Sequence, residues 1–211
     1  MRVISVNVGM PRNFPWQGRM VSTAIFKDPV EGPVPLRRHN FEGDAQADLS
    51  VHGGPDKAVY AYPIEHYPGW QVRLNRELPL GIFGENLTTE GLIEDDVHIG
   101  DVFRFGTAQL VVTQPRMPCF KLGLRFNDPK MVKTFLQAGH PGIYFAVREE
   151  GVVAAGDPIE KLAEDAHRVT VSRMLQLILD ENADRDEIAR LLEVAALAAV
   201  WRVEFKSRLT V

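Results

Sequence analysis

With 211 residues, 45% of them hydrophobic and 25% charged, the chain has the means to bury one full domain and a small second one. Its 28 acidic and 24 basic residues give a formal net charge of -4, which argues against a general binder of nucleic acid polymers or anionic membranes but leaves room for a local basic pocket. The single cysteine excludes an internal disulfide, an iron–sulfur cluster and a paired C-x-x-C zinc site.

Residues 1–8 alternate like a strand and lack the apolar core of a signal peptide or membrane span. The expected location is the cytoplasm, where a lone free thiol is at home. Up to about residue 162 the pattern is one of short β-branched or aromatic runs cut by Gly and Pro, clearest at 21–26, 58–62, 102–105, 109–113 and 143–148. Gly43-Asp44, Gly100-Asp101 and Gly156-Asp157 fall between such runs, where Gly permits a positive φ and Asp can bond the turn backbone. Gly106-Thr107 and Glu150-Gly151 read as further hairpin turns. Closely spaced strands of this kind predict a mainly β fold, a small barrel or sandwich. Two helices interrupt it, one over 63–74 and one opened by Asp128-Pro129 and ended near Gly139.

After Asp165 the pattern changes, and 171–179, 185–196 and 199–209 carry helical spacing. Asp184 stands in the N-cap place of a capping box closed by Glu187. The expected division is therefore 1–165 and an all-α module over 166–211. Three short helices can form only a small core, so the tail should dock on the barrel or on a second subunit, which leaves a homodimer open. Its acidic residues would repel phosphates and speak against a helix-turn-helix role. GxGxxG, P-loop and HExxH motifs are absent, as is any fixed-period repeat.

Cys119 lies in Gln114-Pro115-Arg116-Met117-Pro118-Cys119-Phe120-Lys121. It is inert packing, a reactive thiolate or a metal ligand; Arg116 and Lys121 favour the thiolate, whereas free cysteines are commonly buried as small hydrophobes. The glycine-rich stretch 43–58 brings His52, Gly53, Gly54 and Lys57 together as donors for an anion, and reads equally as an ordinary turn with a surface lysine. In 83–91, Asn86, Thr88 and Thr89 offer directed hydrogen bonds to a heterocycle or phosphate, or satisfy their own loop backbone. Arg116 has the fork for a phosphate or carboxylate, and Arg125 follows on an expected strand; each is more often a surface ion-pair residue. His39, His66, His98, His140 and His167 show no ligand spacing and read as structural or exposed.

Together, H-G-G-x-D-K-A at 52–58, F-G-E-N-L-T at 83–88 and P-R-x-P-C at 115–119 resemble the MOSC family, the domain found at the C-terminus of molybdenum cofactor sulfurases. The tail is similar to the three-helix module of its YiiM-like branch. This resemblance implies a closed, mostly antiparallel β-barrel that binds the molybdenum cofactor, molybdopterin, with Cys119 as ligand to the metal. The phosphate would then fall to Lys57, Arg116, Gly53, Gly54 and His52, and the pterin to Asn86 with Thr88 nearby. It also implies a reductase of small N-hydroxylated compounds such as hydroxylamino nucleobases. His52 is the expected proton donor, and an external reductase supplies the electrons, since the chain shows no flavin motif. Two other readings compete. One is a non-catalytic carrier of the cofactor or its sulfur, and the other a Cys-His hydrolase built on Cys119.

Overall fold

The structure, a computed structural model, describes residues 1–46 and 54–210. First come β1 (Arg2–Val8), the hairpin of β2 (Arg12–Trp16) and β3 (Arg19–Thr23), β4 (Asp28–Val30) and β5 (Val34–Leu36). A 3-10 turn, Pro55–Lys57, leads into β6 (Val59–Pro63), a second such turn, Ile64–His66, and α1 (Tyr67–Leu74). Then follow β7 (Leu87–Glu90), β8 (Val102–Phe105), β9 (Ala108–Pro115), α2 (Phe120–Phe126), α3 (Met131–Ala138), β10 (Ile143–Glu149), β11 (Gly151–Val153) and β12 (Ile159–Ala163). Three helices complete the described chain: α4 (Val171–Leu179), α5 (Arg185–Glu193) and α6 (Ala199–Thr210). None of the described helices is long and apolar enough to cross a membrane.

Eight strands form one sheet in the order β12-β8-β9-β10-β6-β7-β1-β4, in which β6 and β7 run parallel and the other neighbours antiparallel. The mainly β expectation is corrected to a mixed α/β fold, because six α-helices accompany the strands among the described residues. The closed barrel also gives way to an open sheet. Among the described residues its two sides meet at an isolated bridge, Arg2 to Pro158, where Val3 N donates to Asp157 O (2.9 Å), Gly156 N to Val3 O (2.8 Å) and Ile159 N to Met1 O (3.1 Å). A continuous ladder does not span that gap.

Two of the Gly-Asp turns work by the expected chemistry: Asp101 Oδ2 accepts from His98 N (3.1 Å) and Asp157 Oδ2 from Ala154 N (2.7 Å). Asp44 does not bond its own turn through its side chain in this way; its Oδ1 accepts from the distant Gly9 N (2.8 Å). Glu150-Gly151 is not a hairpin turn, because β11 leaves β10 to pair with β5. The helix expected from Asp128 begins later, at Met131; Asp128 instead caps the turn before it, accepting from Lys130 N (2.9 Å). Arg125 lies on α2, not on a strand.

One apolar core runs from the sheet into the tail. Val3, Leu87, Phe103, Phe105, Leu110 and Phe145 join Val171, Met174, Leu191 and Phe205 in a single buried cluster. Trp201 Nε1 adds a bond to Gln114 Oε1 (2.7 Å), so the helical tail docks on the sheet. Asp184 caps α5 as expected, accepting from Asp186 N (2.8 Å) and Glu187 N (3.2 Å). A second, aromatic cluster of Tyr62, Trp70, Phe83, Phe126 and Phe135 packs under α1 and α3 and backs the cleft described next.

Candidate functional site

β9 and β10 pair as far as Pro115 and Ile143, and beyond that point Arg116, Met117 and Pro118 carry the chain to Cys119. Cys119 is the N-cap of α2, with extended backbone (φ -120°, ψ 175°) and no side-chain capping bond. Its free, half-buried thiol lines a cleft of about 580 Å³, counted to its open mouth, with Arg116, Lys121, Lys27, Tyr60 and Tyr144.

Arg116 is not the surface ion-pair residue that its type suggests. It is only 6% exposed and lies 4.8 Å from the Tyr60 ring centroid and 5.4 Å from that of Phe135. Among the described residues its Nη1 is buried without a hydrogen-bond partner. A buried, unpaired guanidinium N–H costs free energy unless an anion or water completes it, so this atom marks where a ligand oxygen belongs. Burial pushes the hydroxyls of Tyr60 and Tyr144 up despite the opposing charge of Arg116, so both remain neutral donors.

Lys57 ends the Pro55–Lys57 turn, where its N–H donates to Gly54 O (3.1 Å). Burial lowers its pKa, while Asp56 and Cys119 work in the opposite sense, which places Lys57 within electrostatic reach of the thiol. The turn is clamped from two sides: Asp56 O accepts from Thr113 Oγ1 (2.7 Å), and Asp56 Oδ2 from Ala199 N (2.9 Å) at the start of α6. The helical tail thereby helps position Lys57. His52 and Gly53 lie outside the described residues.

Asn86 and Thr88 stand behind the cleft, and neither lines it. Both are buried, with their polar atoms engaged inside the protein. Asn86 Oδ1 accepts from Tyr60 N (3.2 Å) while its Nδ2 donates to Asp44 Oδ2 (2.8 Å). Thr88 Oγ1 donates to Glu85 Oε1 (3.0 Å) and accepts from Asn7 Nδ2 (3.1 Å). Thr89 Oγ1 is buried without a partner.

Two charged groups of this network escaped the sequence reading. Lys27 lines the cleft and makes a buried ion pair with Asp44. Burial lowers its pKa, opposed by Asp44 and Glu85. Glu85 ties the 81–88 loop together, accepting from Tyr67 Oη, from Gly81 N (3.0 Å), from Phe83 N (3.0 Å) and from Thr88. The loop passes so close to its neighbour that a Cβ on Gly84, at φ 80°, would sit 2.7 Å from the Ile25 side chain. The expected cost of Glu85→Gln is about 1–3 kcal/mol, because a glutamine amide turns a donor toward Phe83 N. Burial raises the Glu85 pKa against the pull of hydrogen bonds from Tyr67, Thr88 and the Gly81 N–H. Its stabilising contribution is therefore complete below the usual carboxyl value and declines as pH rises through the folded one. Urea unfolding at acidic and neutral pH should show the penalty of Glu85→Gln narrowing toward neutral pH.

The histidines also require revision. Folding brings His66 and His140 together with Glu94, a grouping that their spacing hides. His98 and His167 stay local, paired with Asp101 and Asp165.

Comparison with known proteins agrees with this architecture. The MOSC domain pattern matches residues 48–160, and that of the YiiM-like, 3-alpha helix domain matches 169–210. YflK of Bacillus subtilis (strain 168) is 44% identical over 98% of this chain and 93% of its own length. A protein of Gibberella moniliformis named reductase is 33% identical over 84% of this chain, which spans only 32% of that longer protein. The crystal structure of YiiM from Geobacillus stearothermophilus superposes with a TM-score of 0.83 at 35% identity, covering 99% of this chain and 98% of that one. With matches at this level along nearly its whole length, the chain belongs to the MOSC domain family, in its YiiM-like branch.

Proposed function

We propose that the protein is a molybdenum-cofactor-dependent reductase of small N-hydroxylated compounds, hydroxylamino nucleobases among them. The observation that carries this reading is a lone thiol and a buried guanidinium N–H, unpartnered among the described residues, at one open cleft. The donor set fits the cofactor. A cysteine thiolate is a soft ligand suited to a thiophilic metal, and the Arg116 fork suits a phosphate. Cys119 would hold the metal, while Arg116 and Lys57, with the Gly53 and Gly54 backbone, would hold the phosphate end. Asn86 and Thr88 serve this site from behind, by fixing the strand of Tyr60 and the loop of Glu85.

When bound, the cofactor supplies two-electron reduction. The net reaction takes R–NHOH, two electrons and two protons to R–NH2 and water, breaking the N–O bond. His52 is assigned the proton, since an imidazole titrates near neutrality, whereas Tyr60 and Tyr144 keep theirs. The aromatic wall of Tyr60, Tyr144 and Phe135 keeps water from the buried side of Arg116. Electrons come from a separate reductase protein, and the fungal relative's name supports the reaction class.

Protein produced with an intact molybdenum cofactor pathway is expected to contain molybdenum and pterin. It should convert a hydroxylamino purine to the aminopurine with reduced viologen as electron donor. Retained cofactor with no turnover would move the assignment to a carrier; turnover by metal-free protein would overturn the cofactor dependence.

A further inference from the structure

On the far side of the aromatic cluster, His66, Glu94 and His140 come from three separate segments, the turn before α1, the turn after β7 and the loop after α3. One potential ligand atom from each lies within 4.8 Å of the others. His66 and His140 border a second cleft of about 630 Å³, counted to its open mouth, which Glu65, Trp70 and Arg73 also line, with Glu94 buried behind them.

The arrangement is built rather than incidental. Glu94 is 1% exposed, and its carboxylate is held from both sides: Oε1 accepts from Gly142 N (2.8 Å) while Oε2 meets His66 Nε2 (2.7 Å). Among the described residues, no lysine or arginine pairs with it. A buried carboxylate with so little compensation is costly. The His66 and His140 rings stack at 4.0 Å with an interplanar angle of 14°. Two imidazoles beside a fixed carboxylate are a good ligand set for a divalent first-row metal, which takes imidazole in its neutral form.

We infer that His66, Glu94 and His140 form a binding site for a divalent cation of the zinc class, separate from the Cys119 cleft. Three protein ligands leave a fourth tetrahedral position for water or a small anion, which the cleft beside His66 and His140 has room to supply. Tetrahedral zinc bonds place ligand atoms about 3.3 Å apart, so the site closes when His140, the exposed member of the three, turns out of its stack on His66 and brings its nitrogen closer. The backbone bond from Gly142 to Glu94 Oε1 is the outer-shell contact that orients the carboxylate.

The loop that carries His140 also bears on the other cleft. Pro141 O accepts from Tyr60 Oη (2.8 Å), and a Cβ on Gly142 would lie 2.6 Å from the Tyr60 ring. Tyr60 is the ring beneath Arg116. An ion at His140 therefore fixes the seat of a residue that walls the Cys119 cleft.

The test is titration of untagged, metal-free, full-length protein with Co²⁺, followed by displacement with Zn²⁺. The expected result is one equivalent of Co²⁺ with the visible bands of a nitrogen and oxygen site and no sulfur charge-transfer band. His140→Ala, at an exposed position, should weaken binding at least about tenfold, and Glu94→Gln should do the same. His167→Ala should leave binding unchanged. Zn²⁺ should raise the melting temperature of the parent in a concentration-dependent way but not that of His140→Ala. Three results would overturn the site: no Co²⁺ binding at millimolar concentrations, a His140→Ala titration that overlays the parent, or a thiolate band that disappears with Cys119→Ser instead.

Discussion

Cys119→Ala is expected to lose at least about 100-fold in reductase activity together with most of its molybdenum, since loss of even an outer-shell partner costs about 10–100-fold at metal sites. The thiol makes no capping bond and is half-buried, so its removal should leave the urea midpoint nearly unchanged. Cys119→Ser sharpens the test because it moves stability and function in opposite directions. The position has the extended backbone of an N-cap, where serine is among the preferred residues, so the variant should gain up to about 1 kcal/mol. Its hydroxyl is a harder ligand than a thiolate and should retain little molybdenum. Metal content, turnover and urea unfolding on the same three proteins separate a ligand from a packing residue. A Cys119→Ala protein with full molybdenum and full activity would remove Cys119 from the mechanism.

What the sequence made legible at this site was whatever lies close together in the chain. Arg116, Cys119 and Lys121 fall within six residues behind two prolines, and all three line one cleft. The tail helices were readable because apolar spacing and the cap at Asp184 are local signals. Short α2 escaped because seven residues with Gly123 in the middle carry weak helical signal. That glycine is there for packing: a Cβ would lie 2.9 Å from Asp128 O and 3.5 Å from Trp16. Lys27 and its pairing with Asp44 escaped for a different reason. A lone lysine after a strand-like run reads as a solvated charge, and only the tertiary fold shows its partner seventeen residues away. Glu94 and the two histidines are harder still, since they come from three segments that share no motif.

The largest stability effect is expected at Asp44. Its two oxygens serve three donors, Lys27 Nζ, Gly9 N and Asn86 Nδ2, at a position that is almost fully buried. Asp44→Ala strands all three and leaves the Lys27 ammonium in a low-dielectric site without its counter-charge, which should cost about 3–5 kcal/mol. Lys27→Met should cost less, because the carboxylate keeps Gly9 N and Asn86 Nδ2 as donors. The double variant should fall short of the sum of the two single effects, since removing both charges avoids an orphaned ion. Linkage gives the pH signature. Burial already holds the Lys27 pKa below its usual value, and loss of Asp44 takes away the main opposing pull. Asp44→Ala should therefore recover stability as pH rises from neutrality toward the usual lysine value, as the stranded ammonium is relieved of its charge. Urea unfolding of the parent, both single variants and the double at neutral and alkaline pH measures each arm. If Lys27→Met proves as costly as Asp44→Ala, the two backbone and amide donors do not sustain the carboxylate, and this account of how Asp44 anchors β1 and Asn86 is wrong.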